Sequence, residues 1–272
     1  MNKLYCSTGA LVGRICNYDY SLIGKHLPNL YDFGLIDGME FMFIPFYYDV
    51  KKEIIDTVKS CEVPCPLIHC EKDVGVLLSE SDDYATNKAL DLLKINCEVG
   101  KAIGASQMVF HLWGGIKSDS KIEYNISKLP EILKITDDYE LELLIENIPC
   151  TTYSGLENWR KLYEFIPKIG FTFDTRFGAF HDEIGDILEE PIWDSIKHMH
   201  ISDYSSYPRD FSKIRPILHP GDGVIDFSKI FCGLKDNSYN GSLTLESPVM
   251  IPQGADIKKL TSSLLYIKNQ IK

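Results

Sequence analysis

The sequence predicts an α/β chain folded as a (β/α)8 barrel, with eight parallel strands inside a ring of helices. Three observations carry that expectation. Short apolar runs rich in β-branched and aromatic residues recur along the 272 residues, with roughly one strand–helix step between neighbours. Each run is continuously apolar, as in a parallel sheet covered on both faces. The stretches between them carry apolar residues at three- and four-residue spacing, the period of amphipathic helices.

The elements follow in order. Strands are expected at "KLYCSTG" (3–9), "GMEFMFI" (38–44), "CPLIHC" (65–70) and "SQMVFHL" (106–112). The second half supplies "LELLIEN" (141–147), "GFTFDT" (170–175), "IKHMHIS" (196–202) and "GSLTLES" (241–247). The clearest helix is 85–105. The stretch 122–139 carries Pro130 and is expected to kink or split. The stretch 255–271 has Lys in its last turn, which suits a helix C-terminus. No glycine-rich dinucleotide fingerprint follows the first strand, so an open doubly wound sheet is the weaker choice. No linker or low-complexity stretch interrupts the chain, and one domain over 1–272 is expected.

The formal net charge of −11 argues against a phosphate backbone as the main partner. No signal peptide and no long apolar span is readable, so a cytoplasmic protein without a membrane partner is expected. Eight cysteines at irregular spacing then read as reduced thiols. Cys61, Cys65 and Cys70 cluster without a zinc or iron–sulfur pattern.

Polar residues punctuate the strand ends. Glu40, His69, His111, Glu146, Asp174, His200 and Glu246 all fall at or near the C-terminal ends of expected strands, which in a barrel converge on one face. Taken singly, each has an ordinary explanation: a rim glutamate, a helix cap, or a satisfied core histidine such as His198. Together they differ, because several carboxylates brought close need a cation to stay ionised. Two Glu, one Asp and one His would suit Mn2+, Zn2+, Co2+ or Mg2+.

The series "LLIENIP", "FTFDT", "HMHISDY", "HPGDGVIDF" and "LTLES" resembles the xylose isomerase-like TIM barrel superfamily. That group includes sugar and sugar-phosphate isomerases, ketose 3-epimerases, inosose dehydratases and, more distantly, endonuclease IV. The resemblance implies that Glu146, Asp174, His200 and Glu246 bind a divalent metal. It implies further that Glu146 and Glu246 serve as acid and base, exchanging a proton beside a carbonyl through an enediolate. Asp203 would orient His200 or a substrate hydroxyl. Relatives of this type are often homo-oligomers, and the partner implied is a small carbohydrate.

Two departures bear on the substrate. Many members carry a His three residues after the strand-six Asp, where this chain has Phe177; His181, a turn later, is the candidate replacement or else a surface residue. His69 and His111 match histidines that hold a further zinc in endonuclease IV and, with Glu146, would complete a second metal position. The third-metal ligands are missing, which disfavours an abasic-site nuclease. An inosose-dehydratase-like lyase is the other alternative, and a barrel that binds a sugar without turnover is a third. Glu40, Trp113, Tyr204 and Arg176 are the remaining candidates for a polyol pocket, with Lys72 near the same face. Barrel-rim packing for Trp113 and Tyr204, and pairing with nearby charges for Arg176, Lys72 and Glu40, explain these residues too.

Overall fold

The computed structural model describes residues 2–271 and closes eight parallel strands into a barrel. The strands are β1 (Lys3–Ser7), β2 (Gly38–Met42), β3 (Leu67–His69) and β4 (Gln107–Phe110). They continue as β5 (Glu142–Glu146), β6 (Gly170–Asp174), β7 (Ile196–Ile201) and β8 (Ser242–Leu245). Each lies inside the run that predicts it. They pair in sequence order, and β8 returns to β1 with Leu4 opposite Leu243, which leaves the sheet no free edge.

Helices α1 (Ser21–Asp32), α2 (Lys51–Ser60), α3 (Asp73–Leu78) and α4 (Asp83–Ile103) cover the first half. Helices α5 (Ile122–Ser127), α6 (Leu129–Asp138) and α7 (Gly155–Phe165) follow. The ring is completed by α8 (Thr175–His181), α9 (Ile184–Glu189), α10 (Phe227–Asp236) and α11 (Ile257–Gln270). Helix α4 starts at Asp82, whose carboxylate accepts the Ala85 N–H, and stops at Gly104, in the left-handed region at φ +88°. The stretch around Pro130 splits into α5 and α6. The proline stands in the first turn of α6, where its missing N–H has no helical partner to lose. A two-stranded ribbon, β9 (Met250–Ile251) and β10 (Gly254–Ala255), follows β8 and has no counterpart in the sequence expectations. Among the described residues no helix is long and apolar enough to cross a membrane.

Inside the barrel, Tyr5, Leu67, Val109 and Leu144 form an apolar cluster. Side chains alternate along a strand, so residues two positions further on point the same way, nearer the C-terminal mouth. Those residues are His69, His111 and Glu146. One pleat therefore supplies both the plug of the barrel and the floor of a polar site. The larger core lies between strands and helices, where Trp159 of α7 stacks on Phe171 of β6 with ring centroids 4.6 Å apart. Seven cysteines, including Cys61, Cys65 and Cys70, are buried, Cys232 is exposed, and all eight are free thiols.

Helix α3 approaches the end of β4 through Gly75. A Cβ there would stand 2.3 Å from the His111 carbonyl oxygen and 2.9 Å from that of Trp113. Both obstacles are backbone, so the helix or the strand end would have to move. Gly75→Ala is therefore expected to cost about 1–3 kcal/mol in urea unfolding; an unchanged midpoint would contradict this close approach.

Candidate metal centre

Glu146 ends β5, Asp174 ends β6, His200 lies in β7 and Glu246 follows β8. All four are buried, and one possible ligand atom from each lies within 4.8 Å of the others. The residues that the sequence placed together do meet. Asp174 divides its carboxylate: Oδ1 caps α8 by accepting the N–H groups of Arg176 (2.7 Å) and Phe177 (3.1 Å), while Oδ2 lies 3.5 Å from Arg176 Nη2. Glu146 divides likewise, with Oε1 2.7 Å from His200 Nδ1 and Oε2 2.5 Å from His111 Nε2. Glu246 presents Oε2 at 3.6 Å from His200 Nδ1, and its buried Oε1 has no hydrogen-bond partner.

Asn147 fixes the relation between two of these ends. The Asp174 N–H donates to Asn147 Oδ1 (2.7 Å), and Asn147 Nδ2 donates to the Asp174 carbonyl (3.2 Å). This side chain behaves like one more rung of backbone where β5 and β6 have run out. Sequence reading missed it, although its place directly after Glu146 was the available signal.

The electrostatics of the cluster are unbalanced. Burial opposes the ionised form of Glu146, but His200 and His111 beside it outweigh this and hold its carboxyl well below the usual range. Burial also opposes a charged His200, yet Glu246, Glu40 and Glu146 together push its imidazole well above the usual value. Asp174 is raised to about 6 by burial and by the neighbouring Glu146 and Glu246, against the pull of Arg176. Where carboxylates gather in a buried place, the protein either takes up protons or holds a cation.

His69 adds a second sign of the same need. Its Nδ1 lies 2.8 Å from the Cys70 carbonyl, which can only accept, so Nδ1 carries the proton. Its Nε2 faces Glu146 Oε2 at 3.5 Å, so the two atoms could be shared by one cation. His69, His111 and Glu146 thus form a second, imidazole-rich group with mutually close ligand atoms. The ligand chemistry fits divalent ions in both groups: oxygen-rich with one imidazole in the first, two imidazoles and one carboxylate in the second.

The proposed polyol contacts stand elsewhere than the sequence suggested. Glu40 is fully buried, and its oxygens are taken by His198 and His200. Trp113 is fully buried in the core and offers no free ring face. Tyr204 is buried too, with its hydroxyl against the backbone oxygens of Tyr207 and Asp210. Asp203 neither meets His200 nor stands free, because it accepts four backbone N–H groups. Oδ1 serves Tyr204 and Ile225, Oδ2 serves Gly221 and Gly223, and the "PGDG" turn is organised around it. His181 is buried rather than on the surface: it accepts the Cys150 N–H at Nε2 (3.0 Å), and burial with nearby Arg209 lowers it to about 4. Arg176 bridges Asp174 to the Ile214 carbonyl (3.1 Å) and lies over the Phe177 ring. Lys72 remains exposed.

Comparison with known proteins places the fold. An uncharacterized protein of Methanocaldococcus jannaschii is 27% identical over 168 residues, 58% of this chain and 54% of the relative. The chain thus spans about half the length of that curated relative. D-allulose 3-epimerase from Methylomonas sp., in complex with D-allulose, superposes with a TM-score of 0.71 at 14% identity, covering 100% of this chain and 97% of that one. IOLI protein with a binding zinc atom superposes at 0.70 with 15% identity, covering 99% and 98%. Such low identities establish the shared fold alone. The family model for xylose isomerase-like TIM barrels matches residues 30–267, and this chain belongs to that family.

Proposed function

We propose that this chain is a divalent-metal-dependent isomerase or epimerase of a small sugar or sugar phosphate. The observation that carries the reading is the pair Glu146 and Glu246, which reach the site from strands three positions apart around the barrel. Both face His200, and Glu246 keeps one buried oxygen without a partner. Family membership and the D-allulose-bound neighbour support a carbohydrate as the substrate class. The zinc-bound neighbour supports an ion at the carboxylate cluster.

Glu146, Asp174, His200 and Glu246 would hold the ion, with Mn2+, Zn2+, Co2+ and Mg2+ all compatible with the donor set. When bound, the ion would polarise a substrate carbonyl and so lower the cost of an enediolate. Glu146 and Glu246 divide the proton work: one carboxylate removes the proton beside the carbonyl, and the other returns one from the opposite side. Asp174 and His200 stay as holders, one fixed by the cap of α8 and the other by its contacts with Glu40 and Glu146. A lyase of the inosose-dehydratase kind would share the first proton removal and then lose water.

A second reading has its own support. His69 and His111 converge on the second oxygen of Glu146, as a two-ion site for a phosphodiester would require. Phe177 in place of a histidine and the absence of an Asp-x-His pair in "IRPILHPGDG" weigh against it. Cleavage of abasic duplex DNA by the metal-loaded protein would favour this reading.

Two outcomes are expected. In a panel of ketoses, aldoses and inososes, Glu146→Gln should lower turnover about 100- to 10,000-fold. Turnover equal to wild type would remove Glu146 from the proton work. Zinc affinity should also depend on pH with a definite sign. The ion needs the Asp174 carboxylate ionised, and burial raises that group to about 6. It must also displace a proton from His200, which is held well above its usual value, so affinity climbs with pH and weakens further as pH falls through about 6. Titrations equally tight on both sides of that pH would contradict this.

A further inference from the structure

Beneath the carboxylate cluster lies a buried chain that no proton step above employs. Glu40 of β2 stands across the barrel from His198 and His200 of β7, and all three are fully buried. Glu40 Oε2 lies 2.9 Å from His198 Nε2, and both Glu40 oxygens lie 3.1 and 3.2 Å from His200 Nε2. His198 Nδ1 lies 2.7 Å from Ser242 Oγ of β8. A carboxylate set in a barrel interior is costly to bury, and an apolar side chain of that size would fill the space without the cost.

The hydrogen bonds run in one direction. Carboxylate oxygens only accept, so the Nε2 atoms of both histidines donate to Glu40. His198 has then committed its proton to Nε2, and its Nδ1 accepts the Ser242 hydroxyl. The carboxylate is thereby held in place from a third strand. His200 Nδ1 points at Glu146 Oε1 and Glu246 Oε2, at 2.7 and 3.6 Å, so without an ion it too donates to a carboxylate. A cation taking its place there would displace the Nδ1 proton and leave the one on Nε2. We propose that Glu40, clamped by His198 and Ser242, is the positioning residue that keeps the His200 proton on Nε2 and presents Nδ1 to a divalent cation. This rests on the metal reading of the site given above. Partners of this kind behind a ligating imidazole typically alter metal affinity about 10- to 100-fold.

The test is zinc titration of metal-free wild type, Glu40→Gln and Glu40→Leu, with nitrogen-15 histidine spectra of the zinc-loaded wild type. A carboxamide retains one accepting oxygen for two imidazole N–H groups, and leucine retains none. Affinity should fall about 10-fold in Glu40→Gln and about 100-fold in Glu40→Leu. The wild-type spectrum should place the His200 proton on Nε2 and zinc on Nδ1. Variants that fold and bind zinc as tightly as wild type would overturn the positioning role and leave the metal site standing. A His200 proton on Nδ1 would do the same, and this readout decides alone if the variants do not fold. Wild type that takes up no zinc overturns the metal reading and this role with it.

Discussion

An excess of buried negative charge is the constraint on which the rest of this site depends. Glu40, Glu146, Asp174 and Glu246 crowd His200, and Arg176 is a guanidinium that reaches Asp174. The fold manages this by giving each carboxylate a divided task. Asp174 spends one oxygen on the cap of α8, Glu146 spends one on His111, and Glu40 spends one on His198. What remains of each is turned toward His200 or its neighbours. Glu246 alone keeps a buried oxygen without a partner, which is where the cluster is least satisfied. A protein that removes this much charge from water gains nothing in stability from it. The arrangement makes physical sense when a cation is part of it.

The barrel supplies the geometry with little special machinery. Alternation along β3, β4 and β5 carries Leu67, Val109 and Leu144 into the interior and then His69, His111 and Glu146 to the mouth. Closure of the sheet brings residues far apart in sequence into one small volume. Supporting contacts then set the details. Asn147 locks β5 to β6, Gly75 lets α3 approach the end of β4, and Asp203 gathers the turn that leads toward β8. None of these residues needs to touch a substrate for the site to depend on it.

Much of this was legible in the sequence. Strand runs have a local signature, and so do carboxylates and imidazoles at their ends, so the eight strands and the convergence of Glu146, Asp174, His200 and Glu246 follow from pattern. What escaped is what depends on partners from distant elements. Glu40 looked like a rim residue available to a hydroxyl because its partners, His198 and His200, arrive from across the barrel. Trp113 and Tyr204 stand open in the sequence between a polyol pocket and rim packing, because aromatic residues at strand ends carry no mark of whether a loop covers them. His181 reads in the sequence as a surface residue or a replacement for a substrate-contacting histidine, whereas its Nε2 accepts the Cys150 N–H. Pro130 was read correctly as an interruption, since the restriction it imposes is local.

The central claim is that this cluster binds a divalent ion, and metal content tests it most directly. Elemental analysis after incubation with Mn2+ or Zn2+ should find a stoichiometric ion in wild type, and loss of that ion in the double variant Asp174→Asn with Glu246→Gln. Wild type that holds no ion, or a double variant that holds as much as wild type, would contradict the account.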